Sequence, residues 1–217
     1  RRAFDLSLDR EAINQVVYNG EFVPGNQWVN PQHPYYQQKF PVPKRDLAKA
    51  KALLKEAGIT GRIPIDYMVQ NTPETRSVAE VIQSMVAEAG FDLKIRVTEV
   101  ATALKEGESG KFQLYQNTWS GRIDPDGNSI IYQACGAPQN MGHYCDKEVD
   151  ALHEQARATS DPAERKKIYE KLTERFLANG WIFYLYHPQY LIAHTDRLEG
   201  FVPTQDGILR VVGMKLK

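Results

Sequence analysis

A strand–helix–strand pattern over residues 63–97 sets the fold class. Ile63, Ile65, Tyr67 and Val69 alternate along the chain, so they line one face of a strand. Pro64 belongs near its start or on a free edge. Pro73 then opens a helix to Ala89, with Val78, Val81, Ile82, Met85, Val86 and Ala89 on one face and Gly90 as its stop. Leu93, Ile95 and Val97 alternate again. With loops this short, the two strands lie parallel, joined by a right-handed crossover.

The flanking segments supply layers to cover such a sheet. Asp9 caps a helix over residues 10–18, with Ile13, Val16 and Val17 on one face. Residues 46–57 form an amphipathic helix with Leu47, Ala50, Leu53, Leu54 and Ala57 inward and Gly58 just beyond its end. A helix is predicted over 147–158. Asp161-Pro-Ala-Glu164 reads as a capping box that starts another, to about Leu177, which Asn179-Gly180 ends. Further strands are predicted over 111–119, 181–186, 190–194 and 209–212, and Asp124-Pro-Asp-Gly-Asn128 is turn chemistry. Between residues 19 and 44, Pro24, Pro31, Pro34, Pro41 and Pro43 forbid a long helix. Trp28, Tyr35 and Tyr36 are expected to pack this stretch against the body. The sum is an α/β domain with a mixed sheet.

At 217 residues, 42% apolar and 25% charged, the chain can bury a sizeable core and reads as globular. Its 27 Lys and Arg balance 27 Asp and Glu, so no global field draws it to an anionic membrane, and no nucleic-acid partner is expected. No apolar run approaches the roughly 18 residues of a membrane-spanning helix. The chain opens Arg1-Arg2-Ala3-Phe4, with neither Met nor a signal peptide. It is read as a processed chain or an excised piece, whose start carries no information about export.

Most catalytic patterns are missing from the sequence. No G-x-G-x-x-G follows a strand, and no P-loop is present, so no nucleotide cofactor is expected. Ser120-Gly121 follows Thr118 rather than Gly, which breaks the nucleophile elbow. His153-Glu154 begins like H-E-x-x-H, but Arg157 takes the second His position. Asp124, Asp126 and Asn128 resemble a calcium loop whose Gly127 stands too early and whose Glu position is Cys135. Cys135 and Cys145 have three readings: a disulfide across a loop, two unrelated thiols, or a metal site with His143. A Gly/Pro/Asn-rich loop favours the disulfide, since free cysteines usually sit in regular core. No metal is expected.

Four segments together resemble one family. They are Arg1-Arg-Ala-Phe-Asp-Leu-Ser-Leu-Asp-Arg-Glu-Ala-Ile13, Asp46-Leu-Ala-Lys-Ala-Lys-Ala-Leu-Leu-Lys-Glu-Ala-Gly58, Ala79-Glu-Val-Ile-Gln-Ser-Met-Val-Ala-Glu-Ala-Gly90 and Trp119-Ser-Gly-Arg-Ile-Asp-Pro-Asp126. In this order they are similar to segments of the extracytoplasmic solute-binding proteins of the peptide, oligopeptide and nickel class, which serve ABC importers. The resemblance covers the C-terminal half of a protein about twice this length. It implies that residues 1–217 are one lobe of a periplasmic-binding-protein type II, or Venus-flytrap, fold, with the N-terminal lobe absent. It also implies a solute held between two lobes, a membrane permease as partner, and a periplasmic or extracytoplasmic location.

The resemblance points to Trp119, Ser120, Gly121, Arg122, Asp124 and Arg76 as ligand-binding residues. Peptide binders of the family carry an Asp at the position of Arg122, where it pairs the peptide ammonium. Here the charge is reversed, so Asp124 or Asp126 takes the ammonium instead, or Arg122 meets a carboxylate or sugar hydroxyls, or else it pairs with Asp124 or Asp126 as a structural salt bridge. Arg76 matches an Arg thought to meet the peptide carboxylate, and the alternative is a solvated first-turn Arg. The resemblance also implies the Cys135–Cys145 disulfide. Two rival classes stay open: a small α/β hydrolase or metal-dependent enzyme using Asp124 and Asp126, and a signalling or chaperone lobe that binds proteins.

Overall fold

The computed structural model describes residues 1–204 and 206–217. Arg2–Leu6 (α1) and Arg10–Tyr18 (α2) precede Val23–Pro24 (β1), and a long irregular stretch then reaches Leu47–Glu56 (α3). Ile63–Gln70 (β2), Pro73–Ala87 (α4) and Phe91–Thr98 (β3) are the expected central unit. Val100–Glu108 (α5), Leu114–Gln116 (β4), Asp126–Gln133 (α6), Lys147–Ala158 (α7) and Pro162–Asn179 (α8) follow, then Tyr186–His187 (β5), Leu198–Glu199 (β6) and Lys215–Leu216 (β7).

Helix starts obey local chemistry. Asp9, Asp46, Thr72 and Asp161 each accept the backbone N–H three residues on, satisfying a donor the helix cannot. At Asp161 the capping box is half made, because Glu164 turns outward to Lys167.

β2 lies between β3 and β4 and is parallel to both. Its register runs from Ile63 opposite Phe91 to Gln70 opposite Thr98. The antiparallel pairing that makes the fold mixed stands apart from this sheet, as β1 with β5 and β6 with β7. A first core joins Phe4, Ile13, Val69, Val78, Ile82, Phe91 and their neighbours across α1–α4 and the sheet. A second core places Trp28 and Tyr36 of the proline-rich stretch against Leu152, Tyr169 and Leu172 of α7 and α8. Tyr144, Val149 and Phe176 form a third.

Several expected elements change. The strand predicted over 111–119 keeps only Leu114–Gln116. The turn at 124–128 becomes a helix start: Asp126 opens α6, and the Asp124 carboxylate accepts the Asp126 N–H at 2.9 Å. α5 has no counterpart in the sequence reading; Val100, Ala103, Leu104 and Gly107 share one face at helical spacing, but only Ala103 and Gly107 of them are buried. Residues 190–194 and 209–212 are irregular and largely exposed, and the only late ribbon among the described residues is β6 with β7.

Residues 181–186 pair as strand only at Tyr186, yet their alternation has a cause. Phe183 and Leu185 pack on the first core, whereas Ile182 and Tyr184 pack on the third. The segment runs between two cores, showing one face to each. Side and main chain of other segments take its carbonyls: Arg10 Nε donates to Tyr184 O at 2.8 Å, and the Gly25 N–H donates to Leu185 O at 3.0 Å.

Candidate ligand-binding site

Because β2 and β4 are parallel, both end at the same edge of the sheet. The α4 crossover leaves β2 for β3 on one side, and α5 returns the chain to β4 on the other. In open α/β sheets the crevice at such a reversal is where ligands lie. The chain leaves this edge through Glu99 into α5, through residues 71–76 into α4 and through residues 117–125 into α6, and the last two carry the expected site residues. Gln70 ties them together, its Nε2 donating to Tyr115 Oη at 3.0 Å and to Asn117 Oδ1 at 3.3 Å.

Every ligand-binding residue expected from sequence leaves from this edge. Trp119, Ser120, Gly121, Arg122 and Asp124 follow β4, and Arg76 stands in the first turn of α4, beyond β2. Arg76 is exposed. It shares the edge with the 119–124 segment but, among the described residues, no hydrogen bond or ion pair with it.

Asn128, buried in the first turn of α6, shapes the loop. Its Oδ1 accepts Trp119 Nε1–H at 3.1 Å and the Arg122 N–H at 2.6 Å, and its Nδ2 donates to Arg122 O at 2.7 Å. Gly121 bends the chain at a φ of +77°, a conformation that disfavours any Cβ. Trp119 is thereby held 36% exposed. Its ring meets Tyr132 edge-on at 5.4 Å and carries the Arg122 guanidinium at 4.3 Å. Arg122 Nη1 donates to Ser120 Oγ at 3.0 Å, and Ser120 O accepts the Tyr190 hydroxyl at 3.1 Å.

The salt-bridge alternative for Arg122 is not what forms. Arg165 holds both oxygens of Asp124, each at 3.0 Å, and Asp126 faces Arg157 at 3.7 Å. The Arg165 guanidinium keeps the Asp124 carboxyl below the usual carboxylate range, while burial pushes that of Asp126 up.

The sequence profile of the bacterial extracellular solute-binding proteins, family 5 Middle, matches residues 1–141. The chain belongs to this family. Di/tripeptide-binding protein 4 of Pseudomonas aeruginosa is 32% identical over 166 residues, which are 72% of this chain and 31% of that protein. The dipeptide-binding protein of Escherichia coli is 31% identical over 180 residues, 79% of this chain and 34% of that one. The solved structure of the ABC transporter-associated periplasmic binding protein DppA from Helicobacter pylori, in complex with peptide STSA, matches 99% of this chain and 43% of its own at a TM-score of 0.90 and 25% identity. The matches cover only 31–43% of the length of these relatives, and the fold is the type II periplasmic-binding-protein fold.

In this family-5 chain the cysteines are bonded to each other, Cys135 to Cys145, with Cα atoms 4.5 Å apart. The metal reading with His143 falls, since bonded sulfurs offer no thiolate. Asn140 braces the closed loop, its Nδ2 donating to Ala134 O at 2.9 Å and to Tyr144 O at 2.6 Å. Disulfides persist in oxidising compartments, in keeping with an extracellular family. His153 of the broken H-E-x-x-H is buried on α7, neither ring nitrogen has a partner among the described residues, and burial lowers its pKa to about 4.

Sequence reasoning missed Asn128, Tyr132, Arg165 and Tyr190. Asn128 and Tyr132 carry a signal, being one helical turn apart on one face of α6, but that helix was hidden behind turn residues. Arg165 and Tyr190 meet the loop only through tertiary packing.

Proposed function

We propose that this chain is the C-terminal lobe of a solute-binding protein that captures a small organic solute, a di- or oligopeptide in the first instance, and delivers it to the membrane permease of an ABC importer. An N-terminal lobe of the same protein closes over the carboxyl edge of the parallel sheet. A solute that touches both lobes only when they are closed draws the protein into that state. The observation that carries this reading is the lopsided site. Trp119, Ser120, Arg122 and Asp124 are exposed on a preformed loop, touched by Tyr190 at Ser120 O and by Arg165 at Asp124. A cleft of about 570 Å³ lined by Arg62, Glu80, Gln83 and Lys94 lies along β3 and contains none of them.

Binding without turnover is the role this arrangement supports. A hydrolase built on Asp124 and Asp126 needs those carboxylates free, and Asp124 is held at both oxygens by Arg165. Calorimetry on the two-lobed protein and on this lobe alone tests the reading. Peptides are expected to bind the former and only weakly the latter, and sub-micromolar binding by the lone lobe counts against a shared cleft.

A further inference from the structure

Arg122 differs from Arg157 and Arg165 beside it. Arg165 is spent on Asp124, and Arg157 on Glu154 and Asp126. Arg122 has no carboxylate partner among the described residues, although it is exposed and two acidic residues follow within four positions. It is nevertheless held still. Asn128 grips its backbone at both N–H and C=O. Its aliphatic stem lies against Gly127, where an added Cβ would come within 3.0 Å of Arg122 Cβ and Cγ. The guanidinium lies on the Trp119 ring with Nη1 tethered to Ser120 Oγ and Gly121 O. This leaves the edge formed by Nε–H and Nη2–H without a protein partner among the described residues. That edge is the planar fork that matches a carboxylate with two parallel hydrogen bonds.

A long cationic side chain on a surface ordinarily keeps its rotamer freedom. Here that freedom has been given up before any ligand arrives, and no internal counter-ion accounts for it. Stacking on an indole also lets the guanidinium stay charged while one face is shielded from water.

We propose that the bound solute presents a carboxylate to the Nε/Nη2 edge of Arg122, with Trp119 as the apolar floor beside it. The inference rests on the solute-binding reading above and names the charge class that this lobe selects. An ammonium at the same place meets a fixed positive charge and is excluded.

The test uses the two-lobed protein and one dipeptide in three forms: free, N-acetylated and C-amidated, measured by calorimetry. Amidation is expected to weaken binding by about 10- to 100-fold, the size of a charge-assisted fork, and acetylation by far less. Arg122→Gln is expected to erase the penalty for amidation, and Arg122→Lys to restore part of it. Gly127→Ala, which displaces the stem without touching the charge, is expected to reduce it. An amidation penalty that persists in Arg122→Gln, or acetylation as the more damaging change, overturns the proposal and leaves peptide binding standing. Failure of all three forms to bind the unaltered protein overturns the peptide reading, and the proposal with it.

Discussion

The body up to His187 and the tail over residues 188–217 differ in what they do with apolar side chains. In the body, Ile13, Val69, Val78, Tyr169, Leu172 and Phe176 are sealed in three cores. In the tail, Leu191 is 80% exposed and Val212 92%, and no described residue of the tail belongs to any of those cores. The tail keeps a two-residue ribbon and the Tyr190 contact to Ser120. Apolar content alone therefore does not place a segment inside; a facing surface must exist. In the reading proposed here, the absent lobe is that surface.

The largest expected effect lies in the body. Phe176→Ala empties the seam where Trp28, Tyr144 and Tyr184 meet and is expected to destabilise by about 3–5 kcal/mol, read by denaturant melts. A loss under about 1 kcal/mol would break the contrast with the tail. Acid comes next. Burial holds His153 and His187 at pKa values of about 4, against 6.5 ordinarily. Between these values the unfolded chain binds more protons, so stability is full above pH 6.5 and falls toward pH 4, by up to about 3 kcal/mol for His153. Asp146, held at about 2 by Arg175, contributes a loss only below about pH 4. Equilibrium unfolding from pH 7 to 4 should show the decline, and His153→Leu should flatten its own share. Reducing the disulfide frees a short loop in the body and is expected to remove about 2–3 kcal/mol, seen as a lower Tm with reductant and none in the double Cys→Ser variant. The smallest effect is in the tail: Val212→Ser should change the stability of this lobe by under about 0.5 kcal/mol. The same change in the two-lobed protein should cost about 1–2 kcal/mol, and equal effects in both would remove the absent lobe as the tail's cover.

How far the sequence could be read follows the same division. Residues 46–97 were legible because apolar residues recur at a fixed period, as Leu47, Leu54, Val69, Val78 and Leu93, and pack on the first core, even though α3 fully buries only Ala50 and Val97 of β3 is exposed. α5 and α6 were not, since one buries Ala103 and Gly107 and the other begins with Pro-Asp-Gly. The tail was misread as strands at 190–194 and 209–212, because its β-branched residues suit a sheet that this chain does not provide. At the site, the Trp119–Asp126 segment was visible as a resemblance. Its shape was not, because the hydrogen bonds of Asn128 and the claim of Arg165 on Asp124 come from packing.

Residues 181–186 act as a keystone. Any hinge that opened between the sheet layer and the α7–α8 layer would have to strip Phe183 and Leu185 from one side or Ile182 and Tyr184 from the other, and it would release the Arg10 tether at Tyr184 O as well. The two layers are therefore one packed body, and in the reading proposed above any flexing between lobes falls outside it.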